Sequence, residues 1–300
     1  MNLNTLRYVV TISEVKNITK AAKILYVSQS SLSQSLQSLE KQLGILLFDR
    51  TKSPLEPTYA GLLYIEWAKQ VLDSENQLLK RLSDIASDKQ RKLTIGLSPQ
   101  KSIQIFPEII QEFYSQVSGC TITLEEHPSN ELISLLESGK IDLLFDILHP
   151  ELTSCQSIAI AEERLLIAAS DKYKFKSVEG LIYPRIDLKE LKEKPIITLA
   201  SDQYLGKIFK DLFAQLYSFP SIALECRSAE MAHIMVSKGI GITLIPEFST
   251  HYHKYDNVNY YVLNEPKLSR TMGVTYIKSH YLSYDANKLI EIIKNTLLTY

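Results

Sequence analysis

The chain has 300 residues, of which 45% are hydrophobic and 22% are charged, as expected for a folded protein of about two domains. Its 33 basic and 34 acidic residues give a net charge of −1, which disfavours a wholly basic nucleic-acid-coating protein or a polybasic membrane binder. No apolar run reaches the roughly 18 residues of a membrane span, and the N-terminus lacks a secretory pattern. Three separated cysteines without CxxC spacing fit a reducing compartment, so the expected location is the cytoplasm.

Hydrophobic periodicity predicts three short helices within residues 1–57. The first is indicated by apolar side chains that recur every three or four positions, at Leu3, Leu6, Val9, Val10 and Ile12. Thr19 is the expected N-cap of a second helix, in which residues 21, 22 and 25 form an apolar face. Ser28 is the expected N-cap of a third helix, whose inward side chains are Leu32, Leu36, Leu39 and Leu43. Two short helices around a tight turn are typical of a helix-turn-helix motif.

The basic residues are concentrated in this helical segment. Residues 1–57 contain seven lysines and arginines and four acidic residues, a charge of +3, whereas residues 58–300 carry −4. The near-neutral total therefore hides a basic end, which makes nucleic acid binding a realistic function again.

A long helix is predicted from Thr58, its expected N-cap, to about residue 87. Its seam alternates steps of four and three residues, with one polar interruption, at Tyr64, Ala68, Val71, Glu75, Leu78, Leu82 and Ile85. A second copy of the chain is the simplest partner for such a seam. The alternative is a single helix that packs on its own domain.

From residue 88 onward, strands alternate with helices, which predicts mostly parallel sheets flanked by helices. The expected strands are 92–97, 121–125, 141–147, 163–169, 195–199, 222–226, 240–245, 259–263 and 271–277. The expected helices are 105–116, 130–138, 204–217, 229–238 and 285–298. So many strands suggest two lobes, with crossovers at 147–161 and 264–270.

Specific sequence runs resemble the LysR-type transcriptional regulators over nearly the whole chain. The N-terminal matches are the most specific: Ala21, Ala22, Leu25, VSQSSLS at 27–33, Leu39, Glu40, Leu43, Gly44, LFDR at 47–50 and PTYAG at 57–61. Weaker matches follow in the expected order: IGLS at 95–98, GKIDL at 139–143 and GIGITLIP at 239–246. Many family members have arginine at the position of Gln34, so the base preference of this chain is expected to differ.

The resemblance implies an α plus α/β architecture in three parts. A winged helix-turn-helix is expected over 1–58, a linker and dimerisation helix over 59–88, and a two-lobed, periplasmic-binding-protein-like effector domain over 89–300. Lobe I is expected at about 89–161 and 268–300, and lobe II at about 162–267. The implied function is transcription regulation, with promoter DNA, a small-molecule effector and a second chain as partners. A tetramer is also common in the family, and an activator would contact RNA polymerase; no membrane partner is expected.

The third helix has the chemistry of a major-groove reader. Gln29 and Gln34 are able to pair with adenine, and Ser30 and Ser33 reach bases or phosphates, although a serine-rich start also fits a solvated helix in any bundle. Residues 46–48 and 54–55 fit a wing hairpin, with Phe48 expected in the core. The full set of expected DNA-binding residues is Thr19, Lys20, Ser28, Gln29, Ser30, Ser31, Ser33, Gln34, Arg50 and Lys52.

Family members place effector-binding hydroxyls at two turns, one in each lobe. The resemblance and the strand ends together predict effector-binding residues at Ser98, Gln100, Lys101, Ser102, Ser129, Thr198, Ser201 and Arg227. Lys101 and Gln100 could instead face solvent, and Ser129 could be a plain helix cap.

Other chemistries find little support in the sequence. No P-loop, GxSxG, HExxH or GxGxxG with a following acidic residue occurs, so no catalytic residue, metal or cofactor beyond the effector is expected. The histidines lack a metal-ligand pattern, and Cys120, Cys155 and Cys226 show no resolving pair for peroxide sensing. The competing functions are a solute-binding protein and an enzyme with a vestigial helix-turn-helix.

Overall fold

The computed structural model describes residues 2–85, 91–149, 151–179, 182–215 and 221–298. The chain divides into two compact units, Met1–Arg91 and Lys92–Tyr300. Within the described residues, no helix is both long and apolar enough to cross a membrane.

The first unit is helical, with a small hairpin before its last helix. Its elements are α1 Leu3–Val15, α2 Ile18–Ile24, α3 Gln29–Leu43, β1 Phe48–Asp49, β2 Glu56–Pro57 and α4 Tyr59–Ile85. The antiparallel β1–β2 pair is the predicted wing, and Phe48 is 1% exposed, which confirms its place in the core. Leu32 and Leu36 of α3 pack in the same cluster.

Two details of the helix prediction were wrong. The N-cap of α2 is Asn17, whose side chain accepts from the backbone N–H of Lys20, whereas Thr19 lies within the first turn. Asn17 has the extended backbone that an N-cap requires, and this decides between two polar candidates. The second error is Leu43, which was expected to face inward. It is 37% exposed, because it is the last residue of α3 and lies beyond the buried part of that helix.

Helix α4 begins as predicted, with Thr58 accepting from the backbone N–H of Gly61 at 3.0 Å. Gly61 is required here, because a Cβ would overlap the backbone oxygen of Leu47 in the wing. The first half of the seam packs against α1, and Arg7 of α1 pairs with Glu75 at 2.7 Å. The seam continues onto an exposed surface, formed by Leu78, Leu82 and Ile85.

The second unit is an α/β structure of two lobes. Its strands are β3 Arg91–Leu97, β4 Cys120–Glu126, β5 Leu143–Ile147, β6 Cys155–Ser170, β7 Ser177–Val178, β8 Arg185–Ile186, β9 Ile196–Leu199, β10 Ile222–Cys226, β11 Ile242–Pro246, β12 Val258–Leu263 and β13 Ser269–Ile277. Its helices are α5 Pro99–Gln104, α6 Phe106–Gln116, α7 Ser129–Glu137, α8 Tyr204–Gln215, α9 Ala229–Ser237, α10 Ser249–Tyr252 and α11 Tyr284–Leu298, with a 3₁₀ turn at Leu188–Leu191.

Strand β6 belongs to both lobes. Its first part pairs with β13, beside which lie β5, β3 and β4. Its second part pairs with β11 and β12, and β9 and β10 extend this lobe. Each lobe has its own hydrophobic core.

Two expectations for this unit need correction. The expected crossover 147–161 becomes strand from Cys155, because its backbone completes the ladder with β13. The expected turn after β3 is a short helix, α5, with Pro99 in its first turn, where a missing N–H costs nothing. The predicted end of α8, residues 216–217, and the predicted continuation of α4 over 86–87 lie outside the described residues.

Candidate functional site

The N-terminal turns of α3 present a polar edge to solvent. Ser28 accepts from the backbone N–H of Ser31 at 3.1 Å and lies 3.0 Å from the Ser30 hydroxyl, so it caps α3 as predicted. The exposed side chains of this edge are Ser28, Gln29, Ser30, Ser31 and Gln34. Ser33 is half-buried, and Leu32 and Leu36 anchor the opposite face with exposures of 0% and 2%. A rigid helix therefore displays hydrogen-bonding groups in the way that groove readers require.

Other predicted DNA-binding residues lie in α2 and the wing region. Thr19 and Lys20 are exposed in the first turn of α2. Lys52 is exposed and pairs with Glu56 at 2.5 Å, and the hydrogen bond from Lys52 to Glu56 raises the pKa of Lys52, which keeps it positively charged. Arg50 is 39% exposed and pairs with Glu40 at 2.8 Å.

Glu40 is a structural residue that sequence reasoning missed. It is 4% exposed, and one of its oxygens accepts from the backbone N–H groups of Leu47 at 2.8 Å and Phe48 at 3.3 Å. Its other oxygen accepts from Arg50. The carboxylate thereby joins the end of α3 to the wing, and it orients Arg50. A glutamate at a position where α3 otherwise buries leucine was the available signal.

A cavity of about 570 Å³ lies within the second unit, lined by residues of both lobes. Five predicted effector-binding residues line it: Ser98, Gln100, Lys101, Ser129 and Arg227. Ser129 is the first residue of α7 and makes no cap, because the cap position is Pro128. The two lobes are linked beside the cavity by hydrogen bonds from Gln100 to Ser249 at 2.7 Å and from Gln104 to Glu230 at 3.1 Å.

Three predicted residues do not line this cavity. Ser102 donates to the Pro99 backbone oxygen at 2.8 Å and bonds the Glu126 carboxylate, because α5 turns it away. Thr198 alternates with the lining residue Leu199 along β9, so the two side chains point to opposite faces. Ser201 is an exposed residue of the following turn.

A buried ion pair forms part of the cavity wall. Lys101 is 5% exposed, and its Nζ lies 2.6 Å from Oδ1 of Asp146, which is 2% exposed. Burial by itself would raise the pKa of Asp146, but the charge of Lys101 and the polar groups around the carboxylate outweigh burial, so this pKa lies well below its usual value. The Asp146 carboxylate in turn raises the pKa of His149. The alternative that Lys101 faces solvent is therefore wrong, and Asp146 was missed by sequence reasoning although it interrupts the apolar run 143–147.

The remaining cavity charges are also paired. Arg227 pairs with Asp202 at 2.6 Å, and Arg270 pairs with the buried Glu163 at 2.6 Å. Glu230 lies 3.0 Å from His253. The wall is therefore close to electrically neutral.

The three cysteines are not placed as activated thiols. Cys120 and Cys155 are buried, and Cys226 lines the cavity. Burial raises the pKa of the Cys226 thiol, which disfavours the reactive thiolate. Within the described ranges, no group of three histidine, cysteine, aspartate or glutamate residues is arranged to hold a metal ion.

The chain matches two protein-family descriptions that together cover most of its length. Residues 3–62 match "Bacterial regulatory helix-turn-helix protein, lysR family", and residues 86–298 match "LysR substrate binding domain". The first match disfavours a solute-binding protein, which would have only the second part.

Relatives match over the full length of the chain. It is 26% identical to the HTH-type transcriptional regulator YcgK of Bacillus subtilis, covering 99% of this chain and 95% of that protein. It is 27% identical to the DNA-binding transcriptional dual regulator OxyR of Escherichia coli, covering 98% and 95%.

Solved structures share the fold. The LysR family regulator CbnR matches with a TM-score of 0.63 at 19% identity, covering 99% of each chain. A full-length OxyR variant from Pseudomonas aeruginosa matches with a TM-score of 0.68 at 21% identity, covering 99% of this chain and 94% of that one. The predicted winged helix-turn-helix and two-lobed α/β domain are thus confirmed, and the chain belongs to the LysR family of DNA-binding transcriptional regulators with an effector-binding domain.

Proposed function

We propose that this chain binds double-stranded promoter DNA through α3 and the wing, and that a small molecule in the cavity changes how it holds that DNA. The observation that carries the proposal is the exposed polar edge of α3, backed by the buried Leu32 and Leu36. Gln29 and Gln34 read base edges, and the hydroxyls, Lys52 and Arg50 contact phosphates. The proposed DNA contacts are Thr19, Lys20, Ser28, Gln29, Ser30, Ser31, Ser33, Gln34, Arg50 and Lys52.

The working assembly is proposed to be a dimer, or a tetramer built from two dimers. The exposed continuation of the α4 seam, formed by Leu78, Leu82 and Ile85, supports pairing of two chains. The proposed boundaries are 1–58 for DNA binding, 59–88 for pairing and 89–300 for effector binding. If the protein is an activator, RNA polymerase is its further partner.

The effector is proposed to act by population shift. It must bind one arrangement of the assembly better than another, since equal affinity for both would change nothing. Ser98, Gln100, Lys101, Ser129 and Arg227 line the proposed site. The protein is proposed to act in the bacterial cytoplasm without catalysis, metal or cofactor, because residues 3–62 match a family of bacterial regulatory helix-turn-helix proteins.

DNase footprinting of the DNA upstream of the chain's own gene and its divergent neighbour tests the proposal. We expect two half-sites about one helical turn apart, and a slope of log affinity against log salt of about −0.9 for each phosphate contacted. Gln29→Ala or Gln34→Ala should weaken specific binding by about 1–3 kcal/mol for each base that is no longer read. Gln42→Ala is the matched control, because Gln42 is an exposed glutamine at the far end of α3.

Absence of protection at this site and genome-wide would refute the proposal. Equal weakening by the Gln42→Ala control would refute the assignment of α3 as the reader. Metabolite turnover without DNA binding would favour the enzyme with a vestigial helix-turn-helix.

A further inference from the structure

Lys16 has a backbone conformation that a lysine seldom adopts. It lies between Val15, the last residue of α1, and Asn17, the N-cap of α2, and its φ of 53° and ψ of 26° are those of the left-handed region. Its backbone N–H donates to the Ile12 oxygen at 2.8 Å, so the chain turns directly after the last turn of α1. Glycine is the usual residue at such a helix end, because a Cβ crowds the backbone when φ is positive. A lysine at this position therefore lowers the stability of the fold relative to glycine.

The Lys16 side chain makes no contact that offsets this cost within the folded chain. It is exposed, and among the described residues it has no hydrogen bond, ion pair or ring contact. Backbone strain that packing does not reward is concentrated at functional sites, where it positions a group for a partner. The conformation of Lys16 therefore points to a contact with a molecule outside the chain.

The turn that carries Lys16 is joined to the wing. The backbone N–H of Leu55, the residue before β2, donates to the backbone oxygen of Lys16 at 3.1 Å. Leu55 in turn packs against the core cluster that contains Leu32 and Leu36 of α3. Lys16 is thus held at a fixed place beside the wing, and the wing and α3 are the two elements proposed to bind DNA.

The lysines around α2 lack the carboxylate partners that the basic residues of the wing region have. Arg50 and Lys52 lie 2.8 Å and 2.5 Å from a glutamate oxygen. Lys16, Lys20 and Lys23 are exposed and have no ion-pair partner among the residues that the structure describes. A paired cation has to exchange its carboxylate for a phosphate, whereas an unpaired cation gains the phosphate contact without that loss. The unpaired lysines are therefore the better phosphate ligands.

We propose that Lys16 binds a phosphate group of the DNA backbone, and that its left-handed conformation is retained for this contact. The inference rests on the proposed binding of promoter DNA, and it adds Lys16 to the DNA-binding residues expected from the sequence. A phosphate contact positions a protein on DNA without reading a base. Lys16 therefore contributes to affinity and to its salt dependence, and it does so equally for every DNA sequence.

The variant Lys16→Gly tests the contact in the full-length protein, because its effects on folding and on DNA binding should have opposite signs. Glycine relieves the left-handed conformation, so the urea midpoint followed by Trp67 fluorescence should rise, by up to about 0.5 M. Affinity is measured by fluorescence anisotropy on the duplex protected in footprinting and on a duplex of equal length with shuffled sequence. On both, each lost contact should weaken binding about eightfold at 0.1 M salt and make the salt slope shallower by about 0.9, and a dimer loses two contacts.

Two control variants separate the contact from a general effect of charge. Lys16→Arg keeps the positive charge and the backbone conformation, and it should bind DNA within about twofold of wild type. Lys69→Gln removes one charge from an exposed position of α4, and it should change affinity by less than about twofold because salt screens distant charges.

An unchanged affinity and salt slope for Lys16→Gly overturns the inference, and so does an equal loss of affinity for Lys69→Gln. A lower urea midpoint for Lys16→Gly overturns it as well, because the lysine would then support the fold. When wild type protects DNA and Lys16→Gly binds as tightly, only this inference is refuted. Absent protection by wild type refutes the proposed function, and the phosphate contact with it.

Discussion

Replacing Glu40 with alanine should release the wing from α3. The change removes a carboxylate that accepts from the backbone N–H groups of Leu47 and Phe48 and from the side chain of Arg50. All three hydrogen bonds lie within the first unit, and Glu40 itself is only 4% exposed.

The structure sets the size of the effect. Each buried N–H left without an acceptor costs about 1–3 kcal/mol, and Phe48 contributes at the lower end because its hydrogen bond is 3.3 Å long. Arg50 is 39% exposed, so water replaces much of its missing partner, and its share is at most about 1 kcal/mol. The free energy of unfolding should therefore fall by about 2–4 kcal/mol.

Urea unfolding followed by tryptophan fluorescence measures this change. Trp67 is the single tryptophan of the chain and belongs to the first unit, so its signal reports that unit. With a slope of about 2 kcal/mol per molar urea, the midpoint should fall by about 1–2 M. Wild type and variant must be compared at one protein concentration, because pairing adds to stability.

The matched control is Glu56→Ala. It breaks the exposed Lys52–Glu56 pair and should change stability by less than about 1 kcal/mol. Glu40→Gln keeps one acceptor oxygen and should lie between wild type and Glu40→Ala. A Glu40→Ala midpoint equal to that of Glu56→Ala would refute the reasoning.

Three further outcomes are expected. Leu78→Asp combined with Leu82→Asp should dissociate the dimer in sedimentation velocity, with Asn76→Asp on the opposite helix face as the control; an intact dimer would contradict the α4 assignment. Burial lowers the pKa of His233 to about 4, so the unfolded chain binds more protons below about pH 6.5, and stability should fall by about 3 kcal/mol as the pH drops from 6.5 to 4. Urea titrations of His233→Gln should lack this part of the loss, and identical pH profiles would exclude it. Gly61→Ala should lower the free energy of unfolding, monitored by Trp67, by about 1–3 kcal/mol through overlap with Leu47, and an unchanged midpoint would disprove that close approach.

Local patterns were sufficient to predict most helices and strands. The predicted starts of α3 and α4 are correct, because Ser28 and Thr58 cap the helices that directly follow them. The errors occur where the local sequence allows two structures and contacts in the folded chain select one of them. Asn17 and Thr19 are both good caps, and the extended backbone of Asn17 together with the hydrogen bond that its side chain accepts from Lys20 selects it. The first part of β6 lacks a strong strand signal and is held by β13, which lies more than 100 residues away in sequence.

The functional-site residues also divide into those that the local sequence predicts and those that only the folded chain brings together. The polar run 28–34 also fits a solvated helix, and only together with the flanking sequence runs of the family does it indicate a groove-reading helix. The cavity depends on residues that sequence spacing could not bring together: Lys101 precedes its partner Asp146 by 45 positions, and Gln104 reaches Glu230 across 126. Charge alone predicts exposure for Lys101 and Asp146, and only their mutual contact makes burial of both possible.

The sequence by itself therefore determined the family, the helix-turn-helix, the two-lobed α/β class and the basic character of the N-terminal end. The family follows from the resemblance of specific sequence runs, and the other properties follow from hydrophobic period, capping and composition, all of which are local. The tertiary structure decided that Glu40 supports the wing, that the cavity wall is close to electrically neutral, and that Lys101 and Asp146 are buried together. These properties depend on long-range pairing of polar groups, whose geometry exists only in the folded chain.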